Sequence, residues 1–418
     1  MRVEVINTGT ELLLGSVVNT HLGTLAQALF SLGLRIERQV TVPDGESIRE
    51  ALIESLGRSE VVFVTGGLGP TTDDLTRDIA AELLGRSLHF HPEVMAGIEA
   101  LFAARGLPMT DRVSRQAQVP EGARILPNHH GTAPGLYLEC PPSPLTGGRV
   151  AHLFLLPGPP RELKPMLADA VMPILRELVP VGPRNECRLY HVLGVGESNV
   201  EALVGEALCA IPELELGYCA RPGEVDIRCI GPKAALETAE AIILKALGDR
   251  IAARDGRPLP AVVVETLTQR GETLAIAESC TGGSLAGEVT NVPGASAVLR
   301  AGYVTYANEA KMRDLGVDAA LIETHGAVSE PVAAAMALGA LRRAGTDWAL
   351  ATTGIAGPGG GSEAKPVGTV FIALARKQKD SPELSVCVER HLFRRDRISF
   401  KRLVIQTALD RLRRSLES

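Results

Sequence analysis

The run Thr273-Leu-Ala-Ile-Ala-Glu-Ser-Cys-Thr-Gly-Gly283 places a hydroxyl, a thiol and a second hydroxyl (Ser279, Cys280, Thr281) at the end of a short apolar stretch. The stretch stops at small polar residues and a glycine pair, Gly282 and Gly283, before a helix-like segment. It reads as a buried strand entering a strand–helix turn. Backbone N–H groups of the turn and the helix start are expected to face the same spot, which suits a nucleophile and the stabilisation of an anion. Two more polar segments are expected beside it, Tyr303-Val-Thr-Tyr-Ala-Asn-Glu-Ala-Lys311 and Thr352-Thr-Gly-Ile-Ala-Gly357. A hydroxyl nucleophile needs a base. The first and third segments contain no histidine, and His325 is the only one nearby in sequence. Lys311 can serve if its pKa falls from about 10.4 to roughly 7–8, a destabilisation of the ammonium of about 4 kcal/mol that burial can supply. Tyr303 or Tyr306 could relay the proton or hold Lys311. Taken singly, each residue has an ordinary structural use: Ser279 as a helix cap, Cys280 as a small buried apolar group, Lys311 as a surface cation.

A second constellation lies two hundred residues upstream. Gly66-Gly-Leu-Gly69 follows the apolar run Val61–Thr65 and leads through Pro-Thr-Thr to Asp73 and Asp74. A glycine loop between a strand and a helix is the context of a phosphate cradle. Neither a Gly-Lys-Ser/Thr ending nor a G-x-G-x-x-G spacing is present, so a Walker loop and a classical dinucleotide fingerprint are both excluded. Asp73 and Asp74 would repel a phosphate unless a cation intervened, which points to a Mg²⁺-type site bridging to substrate oxygens. The competing reading makes Asp74 the cap of a helix starting near Thr76.

The 418 residues are too many for one ordinary core, and the sequence is 45% apolar with a net charge of −6. That charge argues against a general nucleic-acid binder, and the basic run Arg394-Arg395-Asp396-Arg397 with Lys401-Arg402 reads as a solvated helix face. Seven scattered cysteines without C-x-x-C spacing predict reduced thiols and a cytoplasmic setting. The N-terminus reads directly as a strand, with no signal peptide, and no apolar run is long enough to span a bilayer.

Strand, glycine loop and amphipathic helix recur over residues 1–175, which predicts a mostly parallel sheet covered on both faces. The loops after Val3–Thr8, Val61–Thr65 and Val150–Leu156 fall at carboxyl ends of strands, where such sheets bind ligands. Residues 176–255 read as a small α+β module, with strands over Cys187–Leu193 and Val225–Ile230 and helices over Ser198–Ala210 and Lys233–Leu247. A linker near Arg254–Pro260 precedes a second α/β unit, 256–418.

Taken together, the motifs carry a resemblance. Ala277–Gly283, Gly302–Lys311, His325-Gly-Ala-Val-Ser-Glu-Pro331, Gly354-Ile-Ala-Gly-Pro358 and Lys365-Pro-Val-Gly-Thr369 closely resemble the nicotinamide-nucleotide amidase domain of the CinA family. The resemblance implies an α/β/α fold and hydrolysis of the carboxamide of nicotinamide mononucleotide, giving nicotinate mononucleotide and ammonia without a cofactor. It implies Ser279 as nucleophile, Lys311 as its base and Tyr306 assisting. Thr353 and the Gly354 region would line the site or bind the ribose phosphate, with Cys280–Gly283, Tyr303, Asn308 and Gly357 among the substrate contacts. Thr8-Gly-Thr-Glu-Leu-Leu-Leu-Gly15, the Thr65–Asp74 loop, Asn128-His-His-Gly-Thr-Ala-Pro-Gly135 and Leu156-Pro-Gly-Pro-Pro-Arg-Glu-Leu163 resemble the molybdopterin-binding-like domain, a three-layer α/β/α fold, that opens these proteins. That likeness implies metal-dependent (Mg, Mn or Co) hydrolysis of ADP-ribose or a similar dinucleotide pyrophosphate. Glu11, Asp73 and Asp74 are then metal candidates, and Gly66, Gly67, Gly69, Asn128 and Gly158 substrate-loop candidates. His21 stands where these proteins often have Asn, and it is expected as a polar core or site-edge residue. Residues 176–255 resemble the family's KH-like connector without a basic G-x-x-G clamp, so no nucleic-acid partner is expected. The expected partners are small nucleotides and a second copy of the chain. Two other readings of the whole remain open: a competence- or recombination-associated binding protein, and a molybdopterin handler.

Overall fold

The computed structural model describes residues 1–180, 185–378 and 383–417. Its contacts divide the chain into two units, Met1–Arg184 and Asn185–Ser418.

In the first unit, β1 (Val3–Thr8) is buried along its whole length, as a strand covered on both faces must be. It pairs in parallel with β2 (Ile36–Val42) and β3 (Val61–Thr65). A short ribbon joins β4 (Leu88–Phe90) to β5 (Gln118–Pro120). β6 (Arg124–Leu126), β7 (Gly135–Cys140) and β8 (Ala151–Leu156) complete a six-stranded sheet in the order β2-β1-β3-β8-β7-β6. β3 and β8 are parallel, whereas β7 runs antiparallel to both β8 and β6. The links β6–β7 and β7–β8 are too short for a crossover helix, so antiparallel pairing is what remains open to them. Alternate residues feed two cores. Val3, Val5 and Phe63 face helix residues such as Leu25, Leu163 and Leu175, while Ile6, Val62 and Val64 face Ile48, Leu52 and Ile79. The expected three-layer α/β/α build is present.

In the second unit, β9 (Glu186–Leu193), β10 (Glu215–Arg221), β11 (Glu224–Gly231) and β12 (Ile251–Ala253) form an antiparallel sheet in the order β10-β11-β9-β12. The helices Glu197–Cys209 and Lys233–Leu247 pack on it through Val200, Val204, Leu236 and Ile243.

β13 (Leu274–Glu278) is an inner strand of the last sheet, flanked in parallel by β14 (Leu299–Val304) and β15 (Trp348–Gly354). β16 (Thr369–Lys377) and β17 (Leu384–Leu392) extend it antiparallel, in the order β14-β13-β15-β16-β17. Its two faces differ in bulk. Leu274, Ile276 and Leu350 pack against Phe400, Val404 and Leu412 of the C-terminal helix Arg397–Glu417. Ala275, Ala277, Ala349 and Ala351 receive Val332, Met336 and Ala340 of the helix Glu330–Ala344. The C-terminal helix also holds the antiparallel module. Arg402 pairs with Glu224 at 2.9 Å, and Arg413 donates to the Asp249 carbonyl at 2.6 Å.

Among the described residues, no helix is long and apolar enough to cross a membrane.

Candidate active site

β13, β14 and β15 run parallel, so the segments leaving their carboxyl ends are neighbours. Ser279 and Cys280 leave β13, Tyr306, Asn308 and Lys311 follow β14, and Thr353, Gly354 and Ala356 end β15. Together they line one cleft of about 200 Å³. The three segments expected to converge therefore do so.

Lys311 is 1% exposed, and its Nζ lies 3.1 Å from Ser279 Oγ. Its other hydrogen bonds go to the carbonyls of Thr305, at 2.8 Å, and Tyr306, at 3.3 Å. Burial drives the Lys311 pKa down from its ordinary value, against weaker pulls from Cys280 and Glu309. The arrangement favours a neutral amine that takes a proton from the serine hydroxyl. Cys280 differs sharply. Burial pushes its thiol up to about 12, so it stays protonated and weakly nucleophilic.

The amide donors of the turn have another use than the sequence suggests. The Glu278 carboxylate, 1% exposed, accepts from the N–H groups of Gly283, Leu285 and Ala286 at 3.0, 3.0 and 2.8 Å. The start of the helix Ser284–Thr290 is thus satisfied by the residue just before Ser279. Those three amides are spent on fixing the turn and are not offered to an anion.

Tyr306 supports Lys311 through its backbone carbonyl, while its phenol is exposed and accepts from Arg397 at 3.2 Å. Thr353 is buried and donates to the Ala327 carbonyl at 2.8 Å. Thr281, Gly282, Gly283, Tyr303 and Gly357 stand outside the cleft lining. Thr281 bonds Thr352 at 2.9 Å, Gly282 and Gly283 turn the chain at φ 64 and 92°, and Tyr303 packs on the alanine face. The Gly357 carbonyl accepts from Arg397 at 3.0 Å. His325 lies outside the cleft lining, and its carbonyl accepts from Lys365. Arg397, read from sequence as part of a solvated face, instead lines the cleft. Only the fold shows that the helix starts there against Tyr306.

In the first unit a cleft of about 490 Å³ lies at the carboxyl ends of β1, β3 and β8. Gly66 and Gly67 adopt φ 103 and 68°, and a Cβ on either would collide with Thr8 or Thr76. Gly66, Gly67, Gly69 and Gly158 line the cleft, as do Glu11, Asp73 and Asp74. The carboxylates of Asp73 and Asp74 accept from the Thr71 hydroxyl, and Asp74 also takes the Thr71 N–H at 2.9 Å. Asp74 therefore shapes the loop, and the helix Thr76–Leu83 has no side-chain cap. The Thr71 hydrogen bond holds the Asp73 carboxyl below its ordinary range. Asn128 does not line this cleft. Its amide bonds the Ala133 carbonyl and Glu162 at 2.8 and 2.9 Å, and its Oδ1 accepts from His130 and Gly131 N–H. His21 is 8% exposed and bonds Thr65 at 3.0 Å; burial lowers its pKa.

Among the described residues, no three His, Cys, Asp or Glu side chains gather closely enough to hold a metal by themselves. Yet the cleft lining carries Glu11, Asp44, Asp73, Asp74 and Glu162 and no Lys or Arg. Hard oxygen donors of this kind fit a divalent cation that keeps several waters and shares substrate oxygens.

Two family models match the chain, "CinA C-terminal domain" over residues 257–416 and "Probable molybdopterin binding domain" over residues 4–177. A CinA-like protein of Akkermansia muciniphila is 46% identical over 409 residues, covering 98% of this chain and 96% of its own. The crystal structure of the competence/damage inducible protein CihA from Agrobacterium tumefaciens is similar at 40% identity, over 38% of this chain and 94% of that one, with a TM-score of 0.35. With its C-terminal and molybdopterin-binding-like domains in the family's order and a relative aligned nearly end to end, the chain belongs to the CinA family.

Proposed function

We propose that the C-terminal cleft hydrolyses the carboxamide of nicotinamide mononucleotide. The observation that carries this reading is the 3.1 Å contact between a buried Lys311 and Ser279. Neutral Lys311 takes the Ser279 proton as Oγ attacks the amide carbon. The lysine ammonium then returns that proton to the leaving nitrogen, and ammonia departs as the C–N bond breaks. Water, deprotonated by the same amine, cleaves the acyl-serine ester and restores both groups. No residue outside the cleft and no cofactor is needed for the proton balance. The substrate's phosphate requires a cation, and Arg397, which lines the same cleft as Asn308, supplies one. Ammonia release from nicotinamide mononucleotide by the full chain, lost in Ser279→Ala, tests the reading.

The acidic cleft of the first unit supports a second activity, metal-dependent hydrolysis of ADP-ribose or a like pyrophosphate. Glu11, Asp73 and Asp74 would hold Mg²⁺, Mn²⁺ or Co²⁺, which polarises a phosphoryl oxygen when bound. The Thr71 hydrogen bond lowers the Asp73 pKa, and the glycines of the Gly66–Gly69 loop let it pack closely on Thr8, Thr76 and Asp74. AMP release from ADP-ribose that depends on added metal tests it.

A further inference from the structure

Within residues 185–418, a cavity of about 540 Å³ opens between the antiparallel module and the C-terminal α/β fold. Leu259, Ile405 and Leu409 give it an apolar bed, and Arg221, Lys401 and Arg402 stand on its walls. An apolar bed with a few placed polar groups is how small-molecule pockets are built.

Several polar groups there are unspent. Among the described residues, neither Lys401 nor Glu288 has an ion-pair partner. Gln406 Oε1 is buried without a donor. His191 is 5% exposed, with Nδ1 2.7 Å from Asp226. Its Nε2 faces Glu224 at 3.0 Å, so this ring is held by two carboxylates and the open groups are Lys401, Glu288 and Gln406. Unsatisfied buried groups cost free energy that a fitting ligand recovers. The free cation calls for an anionic end on the ligand, and the free acceptors call for N–H donors at the other end.

We propose that this cavity is a second ligand site that takes a nucleoside monophosphate with an amino-bearing base. The phosphate meets Lys401 and Arg402, and the base lies on Leu259 and Leu409 with its amine toward Gln406. The site is coupled to the catalytic cleft through two helices. Ser284 and Glu288, which line the cavity, belong to the helix that follows the nucleophile turn. Lys401 Nζ lies 3.7 Å from where a Cβ on Gly282 would stand. Lys401 is also one turn beyond Arg397, which lines the cleft. Occupancy of the cavity biases both elements and so regulates turnover, a consequence that rests on the amide-hydrolysis reading.

Calorimetric titration of the full chain with AMP in chelator tests the site, because AMP is also the product assigned to the metal-dependent cleft of the first unit; inorganic phosphate is the comparison probe. AMP is expected to bind at least tenfold more weakly to Lys401→Gln/Arg402→Gln and unchanged to Asp73→Asn/Asp74→Asn and Ser279→Ala. Gln406→Leu should weaken AMP and leave phosphate binding as it was, a contrast that loss of folding would not produce. Unchanged AMP affinity in the Lys401/Arg402 pair, or loss in the Asp pair, overturns the assignment, and phosphate binding as tight as AMP overturns the nucleoside. AMP at saturation should also shift kcat or KM for ammonia release at least threefold; binding without any shift overturns regulation. Absence of all ammonia release would instead strike the catalytic reading, while the AMP isotherm still decides the site.

Discussion

Lys311 Nζ and Ser279 Oγ stand 3.1 Å apart at the carboxyl end of β13, and the lysine's two other hydrogen bonds go to backbone carbonyls. A buried ammonium offered a hydroxyl and two carbonyls lacks the full negative charge that would repay its desolvation. The same geometry lowers the Lys311 pKa and so favours the neutral amine that the proposed reaction needs beside the Ser279 hydroxyl.

Ser279→Ala should lower ammonia release from nicotinamide mononucleotide at least about 10³-fold, as loss of an activated nucleophile does. Cys280→Ala should stay within about tenfold of wild type, because a thiol held near 12 contributes little thiolate at neutral pH. The reverse pattern in a steady-state assay would transfer the nucleophile to Cys280.

The rate should rise with pH on its acid limb and level off once Lys311 is neutral. Burial depresses the Lys311 pKa, so the midpoint must fall below the ordinary lysine value of 10.5. Below that midpoint the rate falls about tenfold per pH unit. Lys311→Arg, a permanent cation, should be inactive throughout the profile. A limb with the same midpoint in Lys311→Arg would assign the titration to another group.

Glu278→Ala should cost roughly 2–3 kcal/mol by denaturant unfolding, since it strips three N–H groups of a buried carboxylate partner. Activity should fall as well, because the turn that aims Ser279 loses its brace. An unchanged melt would mean that the helix start finds water instead.

Arg397→Ala should raise KM for nicotinamide mononucleotide about 10–100-fold and hardly alter turnover of the riboside, which lacks the phosphate. Equal losses on both substrates would place Arg397 in support of Tyr306 rather than on the phosphate.

Asp73→Asn/Asp74→Asn should abolish metal-stimulated AMP release from ADP-ribose and leave ammonia release within about twofold. Phosphate products are read by chromatography with and without chelator, and persistent release in the variant would move the metal elsewhere in the acidic cleft.

Much was legible from local pattern. The apolar runs Val3–Thr8 and Val61–Thr65 are strands to the residue, because a strand buried on both faces is a continuous apolar word ended by glycine. The helix Lys233–Leu247 agrees equally well with its pattern. β10 and β17 are half-buried or exposed along their whole length, so neither reads as the continuous apolar run of a strand covered on both faces. β6 escaped notice because three residues carry no period.

The amino-acid order alone supplied the candidates: Ser279 and the acidic glycine loop by type and by adjacency to strand ends, and Lys311 only as one member of a set of motifs. Tertiary structure decided what they do for one another. It gave the turn amides to Glu278, drew Arg397 into the cleft and closed a cavity on Lys401. The first depends on the local geometry of one turn, and the other two on distances between segments tens to hundreds of residues apart. Periodicity reports only which face of an element is buried, and it holds no information on what that face meets.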